Sequence, residues 1–183
     1  MRLVLDACVL YPTVLREILL GCARAGLYEP LVSERILREW VRATAKLGAA
    51  QQAAAEGEAA LLRAGFPAAM VRARPEIEAR LALPDPDDVH VLAVAIGGHA
   101  DAILTFNAAD FPQHLLAEEG IVRRDPDGFL WELWSHEPQA VEAVVAAVLA
   151  KASALSGQAF GRKALLRRVR LNRLARAMDS AGQ

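Results

Sequence analysis

The sequence predicts an α/β fold, with a short, mostly parallel sheet between helices and a helical extension at the carboxyl end. Three observations point that way. Uncharged apolar runs at Leu3-Val4-Leu5 and Ala102-Ile103-Leu104-Thr105 read as strands buried on both faces, long helical patterns separate them, and the chain beyond Phe129 is helical throughout. With 183 residues, 54% hydrophobic and 23% charged, the chain can bury a proper core and is not of disordered composition.

Taken in order, Leu3-Val4-Leu5 ends in Asp6, which places that acid at the carboxyl end of a central strand. Pro12 suits the first turn of a helix running to about Ala25, with Gly26 as its stop. Ser33 is a natural N-cap for the next helix, where Ile36, Leu37, Trp40 and Val41 form one apolar stripe and Glu39 falls on its flank. From Gly48 to Arg80 the Ala-rich sequence, broken at Gly65-Phe66-Pro67 and at Pro75, reads as a helical hairpin and a looser connection. A third helix opens at Asp85-Pro86-Asp87-Asp88, continues through Val89 to Ile96 and stops at Gly97-Gly98. Ala102 to Thr105 and Ile121-Val122 are further strands of the same sheet, followed by helices from Val141 to Leu155 and from Lys163 to Met178. The organisation expected is a domain over residues 1–130 and a helical extension over 131–183 that is basic from about residue 162.

Several classes are disfavoured. Asp6 interrupts any signal-like apolar segment, and the longest uncharged apolar stretch, Ala143 to Ala150, is far shorter than the roughly 20 residues a bilayer requires. A cytoplasmic, non-membrane protein is therefore expected. Cys8 and Cys22 lack both CxxC spacing and the density of a disulfide scaffold, so they read as reduced packing residues, and zinc is disfavoured. The net charge of -1 conceals a basic segment after Phe160, with Arg162, Lys163, Arg167, Arg168, Arg170, Arg173 and Arg176, which suits contact with nucleic acid or with an acidic surface. The four histidines share no metal-ligand spacing and receive no catalytic role.

The remaining chemical signal is acidic. The α/β order carries several of Asp6, Glu39, Asp87, Asp88 and Asp110 to one edge of the sheet, and converging carboxylates repel unless a cation compensates. Hard oxygen donors favour magnesium or manganese, ions that promote phosphodiester cleavage. The bland readings are Asp6 capping the following turn, Glu39 as a solvated helix flank, and the Asp85 to Asp88 segment as a helix start. Capping explains Asp85 well and three acids less completely, so Asp88 is chosen over Asp87 as the one turned toward Asp6.

Leu3-Val4-Leu5-Asp6-Ala7-Cys8-Val9-Leu10, the segment Leu83 to Ala93 around Asp85-Pro86-Asp87-Asp88, and Leu104 to Pro112 around Asn107 and Asp110 together resemble a PIN domain. The likeness covers about the first 130 residues, includes Glu39-Trp40, and closes with Asp125 to Leu130. It implies a three-layer α/β/α fold and a magnesium- or manganese-dependent ribonuclease, in bacterial relatives commonly the toxin of a VapBC-type toxin-antitoxin pair. It implies Asp6, Glu39 and Asp88 as catalytic metal ligands and Thr105 as a positioning residue. Where the family often has a further acid this chain has Asn107, and Asp110 is the candidate substitute as a fourth ligand. An RNA substrate, a homodimer and an antitoxin that inserts an Arg or Lys among the carboxylates are the partners expected.

Two other readings are open on sequence. A phosphotransferase of the haloacid-dehalogenase kind also begins with a strand ending in Asp, but needs a second Asp where this chain has Cys8. A non-catalytic RNA- or protein-binding module with an incomplete acidic site is the alternative that Asn107 sustains.

Overall fold

Leu3, Val4 and Leu5 are fully buried in strand β1 (Arg2–Leu5), as an apolar run in the middle of a parallel sheet must be. The computed structural model describes residues 1–180. A one-turn helix α1 (Ala7–Leu10), which the apolar pattern does not mark, precedes α2 (Thr13–Arg24), and α2 stops just before Gly26 at a φ of 76°. Strand β2 (Glu29–Leu31) is an element that patterning misses altogether. It is an edge strand paired only with β1, where Pro30 can lack an N–H and Glu29 can face water.

Ser33 caps α3 (Glu34–Thr44) by accepting a hydrogen bond from the Ile36 N–H at 3.3 Å. The next helix, α4 (Ala49–Gly65), is tied to α3 by a bidentate pair in which Arg63 donates to Glu34 at 2.8 and 2.9 Å. The hairpin expected before Arg80 is instead one long helix followed by a 3₁₀ turn at Pro67–Ala69 and α5 (Pro75–Glu78). Each proline opens its own short turn, because its fixed φ is helical and its missing N–H has no partner to lose at a first helical position.

Asp85 caps a 3₁₀ turn at Pro86–Asp88, accepting from the Asp87 N–H at 2.9 Å, and α6 (Val89–Gly97) continues from it. The helix ends where His99 turns to a φ of 51°, and Gly98 before it is a matter of space: an added Cβ would lie 2.9 Å from both Leu31 Cδ1 and the Val94 carbonyl oxygen. Strand β3 (Ala102–Leu104), helix α7 (Gln113–Glu118) and strand β4 (Val122–Arg124) complete the sheet.

The strand order is β2-β1-β3-β4 and every pairing is parallel, as the α/β/α class requires. Leu5 pairs with Leu104, so Asp6 and Thr105 emerge side by side, each one residue past its strand. The Asp6 N–H donates to the Leu104 carbonyl at 3.2 Å and fixes that register.

The chain forms two compact units, Met1–Tyr11 with Tyr28–Arg124, and Pro12–Leu27 with the chain from Asp125 onward. The first holds the sheet. The second contains α2, α8 (Pro126–His136), α9 (Pro138–Ser156), α10 (Arg162–Arg168) and α11 (Asn172–Ser180). The single basic helix expected from Lys163 to Met178 is therefore two. The chain reverses at Arg170, whose φ is 64°, because Val169 and Leu171 are both buried and one straight helix could not seat them. By length and composition alone α9 could cross a bilayer. Its Glu142 and Lys151, however, are engaged within this unit, by Trp134 Nε1 at 3.1 Å and by Glu17 at 2.9 Å.

Candidate active site

Asp6 is only 7% exposed, and its side chain caps nothing. Its Oδ2 instead accepts from Thr105 Oγ1 at 2.7 Å and from Cys8 Sγ at 2.9 Å. Both donors are held in turn from the loop after β3: the Asn107 N–H donates to Thr105 Oγ1 at 2.9 Å and the Phe106 N–H to Cys8 Sγ at 3.2 Å. This relay joins the ends of β1 and β3 and fixes the orientation of the Asp6 carboxylate. Burial, and then the charge and hydrogen bond of Asp6, push the Cys8 thiol up to about 12, so Cys8 stays a neutral donor.

Ligand oxygens of Asp85, Asp88 and Asp110 lie within 4.8 Å of one another. Asn107 stands between two of these acids, its Nδ2 donating to Asp88 Oδ2 at 3.4 Å and to Asp110 Oδ2. Burial and the negative charges of Asp6, Asp85 and Asp110 push the Asp88 carboxyl up from 3.8 to about 6, so Asp6 is near enough to act on Asp88. Asp87 points elsewhere, 95% exposed and 3.8 Å from the Arg35 guanidinium.

Glu39 lines a cavity of ≈ 430 Å³ with Asp87, Asp88 and three arginines of α3, but its carboxylate stands outside the close cluster. Arg35 Nε donates to it at 3.0 Å, and His90 Nε2 lies 3.0 Å away. Burial alone would raise the Glu39 carboxyl, and the His90 and Arg35 contacts more than offset that and hold it below the usual range. His90 is 2% exposed, and both of its ring nitrogens are buried.

The structure thus gathers Asp88, Asp110 and Asn107 closely, sets Asp6 and Thr105 beside them, and leaves Glu39 on the adjoining cavity wall. Sequence reasoning missed Asp85 as a member of the cluster, since its capping role accounted for it, and missed His90 as the partner of Glu39. The phosphotransferase pattern finds no support in this geometry, because Cys8 donates to Asp6 rather than serving as an acid beside it.

No lysine or arginine ion pair reaches Asp6, Asp88 or Asp110 among the described residues; Arg35 pairs with Glu39, Glu78 and Asp87. An all-carboxylate set with a partly buried, uncompensated acid at its centre suits a hard divalent cation. A family model described as a PIN domain matches residues 2–109. No curated protein and no solved structure matches the chain.

Proposed function

The chain belongs to the PIN domain family, and we propose that it is a metal-dependent endoribonuclease that hydrolyses RNA phosphodiester bonds. The observation that carries this reading is the convergence of Asp85, Asp88 and Asp110, with Asp6 acting on the same centre, at the carboxyl ends of β1 and β3. Asp6, Glu39, Asp88 and Asp110 are the proposed ligands of magnesium or manganese, with Asp85 as an added candidate. Such ions, when bound, would offset the negative charge that builds on the phosphoryl and leaving oxygens and would lower the pKa of water.

The chain's own residues do the rest. Thr105 and Cys8 hold Oδ2 of Asp6, and no hydrogen bond among the described residues engages its other oxygen. Asn107 keeps Asp88 and Asp110 from separating under their mutual repulsion. Arg35 and His90 hold Glu39 ionised at the cavity wall.

The further reading is of a cytoplasmic homodimeric toxin neutralised by an antitoxin, with the nuclease in residues 1–130 and residues 131–183 as its helical extension. A second reading, a non-catalytic RNA- or protein-binding module, is favoured by one observation: an amide, Asn107, stands between Asp88 and Asp110, where a further acid would add ligand charge. Incubation with purified tRNA, rRNA and mRNA, with and without magnesium or manganese, separates the two. Metal-dependent cleavage by the unaltered chain and its loss in Asp6→Asn support the nuclease. Full activity of Asp6→Asn, or no cleavage of any RNA with either metal, overturns it.

A further inference from the structure

Helix α3 has two unlike faces. Ile36, Leu37 and Trp40 are fully buried, while Arg35, Arg38, Glu39 and Arg42 follow one another at i, i+3, i+4 and i+7 along the other side. That second stripe is the wall of the ≈ 430 Å³ cavity which Asp88 also lines. Arg35 is engaged by Glu39, Glu78 and Asp87. Arg38 and Arg42 are exposed, and neither forms an ion pair among the described residues. The same two arginines line a second cavity, of ≈ 330 Å³, where Arg63 is already neutralised by Glu34 and Glu56 is the other acid. Two guanidinium groups outside any ion pair among the described residues therefore stand on the helix that presents Glu39, in the cavity that Asp88 lines.

The geometry points to Arg38 and Arg42 as a phosphate-binding track for the RNA strand that flanks the scissile bond. This rests on the nuclease reading above and deepens it by saying which residues take the backbone. Four residues on one helix set their Cα atoms about 6 Å apart along the axis, and each guanidinium can take two oxygens of one phosphate. The opposed charges divide the labour: the carboxylates receive the phosphate to be cut, and the arginines hold those beside it without competing for metal. The basic carboxyl-terminal helices suit this role less. Arg162 donates to the Met178 carbonyl at 2.7 Å, Lys163 pairs with Asp179, and Arg173 lies 3.6 Å over the Trp131 ring.

The test is fluorescence anisotropy of the full-length, metal-free protein in EDTA with a labelled single-stranded RNA of about 12 nucleotides over a salt series. In R38A/R42A, binding is expected to weaken at least about tenfold, and the slope of log K against log salt to fall by about 1.4, two single-strand contacts' worth. R38K/R42K should keep the slope. Unchanged affinity and slope in R38A/R42A overturn the track. So does loss of binding to a labelled poly-glutamate peptide with RNA affinity intact, which assigns the stripe to an acidic protein partner. Should R38A/R42A lose its circular-dichroism spectrum, R38Q and R42Q singly are each expected to remove about half of the slope change.

Hydrolysis of bis(4-nitrophenyl) phosphate with manganese separates this inference from the reading it rests on. That diester has a single phosphate and none flanking it for a track to hold, so R38A/R42A should match the unaltered protein on it. If the unaltered protein cleaves neither the diester nor RNA, the nuclease reading fails while the anisotropy still decides the track. If the diester is cleaved and RNA affinity is unchanged in R38A/R42A, the track alone fails.

Discussion

Thr105 and Asp6, 99 residues apart in the chain, are joined by a hydrogen bond of 2.7 Å from the threonine hydroxyl to Oδ2 of the aspartate. The bond is buried, and Thr105 Oγ1 in turn accepts from the Asn107 N–H at 2.9 Å, which ties the hydroxyl to the loop after β3. Thr105→Val keeps the shape and removes the donor. Loss of such an orienting partner typically costs about 10–100-fold in metal affinity or activity. Manganese titration by calorimetry should show a weakening of that order with an unchanged circular-dichroism spectrum; affinity equal to that of the unaltered protein would show that Cys8 alone orients Asp6.

The pH dependence follows from Asp88, whose carboxyl rises from 3.8 to about 6 through burial and then through Asp6, Asp85 and Asp110. An acid raised on folding binds its proton more tightly in the native state than in the unfolded one. Its contribution to stability is therefore complete below 3.8 and is lost as the pH climbs to about 6. The carboxyls of Glu34, Glu39, Glu119 and Asp179 are lowered, so their contributions are lost only as the pH falls through their own depressed values. In EDTA the melting temperature should thus decline as the pH climbs from about 4.5 to about 6 and level off above that, and Asp88→Asn should flatten the decline while abolishing cleavage. Magnesium should stabilise more at the upper pH, where no proton competes for Asp88. An equally steep decline in Asp88→Asn would remove Asp88 as its source.

Which parts of this were legible in the sequence depends on how local their causes are. Strand β1 and Asp6 could be read because three fully buried apolar residues and the acid after them are consecutive. The cap at Ser33 and the helix start at Asp85 were equally local. Strand β2 was hidden because its pattern, Glu29-Pro30-Leu31, obeys the rules of an edge, where burial is one-sided and a missing N–H costs little. The break at Arg170 was hidden because it arises from the burial of Leu171, a tertiary demand that overrides a good helical pattern. In the site, His90 meets Glu39 across two helices, and no spacing rule exposes such a pair.

Gly98 tests whether the glycine at the end of α6 is required for space or for backbone freedom. Its φ of −91° is open to any residue, but a Cβ there would sit 2.9 Å from the Val94 carbonyl oxygen and 3.0 Å from Val71 Cγ2. The carbonyl belongs to the helix and cannot swing aside as a side chain end can. Gly98→Ala should therefore destabilise by about 1–3 kcal/mol, the range for overpacking a well-filled interior. Urea unfolding would measure it, and a stability equal to the parent's would show that α6 shifts freely against β2.

Asn107→Asp asks whether the amide is a substitute ligand or a clamp. In the metal-free protein Asn107 Nδ2 donates to both Asp88 and Asp110 and partly offsets their repulsion. An aspartate there replaces two donated hydrogen bonds by a further negative charge in a cluster whose Asp88 is already pushed to about 6. Without metal, the melting temperature should fall by several degrees, about 1–3 kcal/mol, the cost of leaving buried polar groups unpaired. With manganese the order reverses, because a carboxylate brings charge to the ion where an amide brings only a dipole. Calorimetry should then show tighter or additional manganese binding in Asn107→Asp than in the parent. Should the variant lose stability in EDTA and gain no manganese affinity, position 107 serves as a clamp alone, and the centre is built from Asp6, Asp88, Asp110 and Asp85.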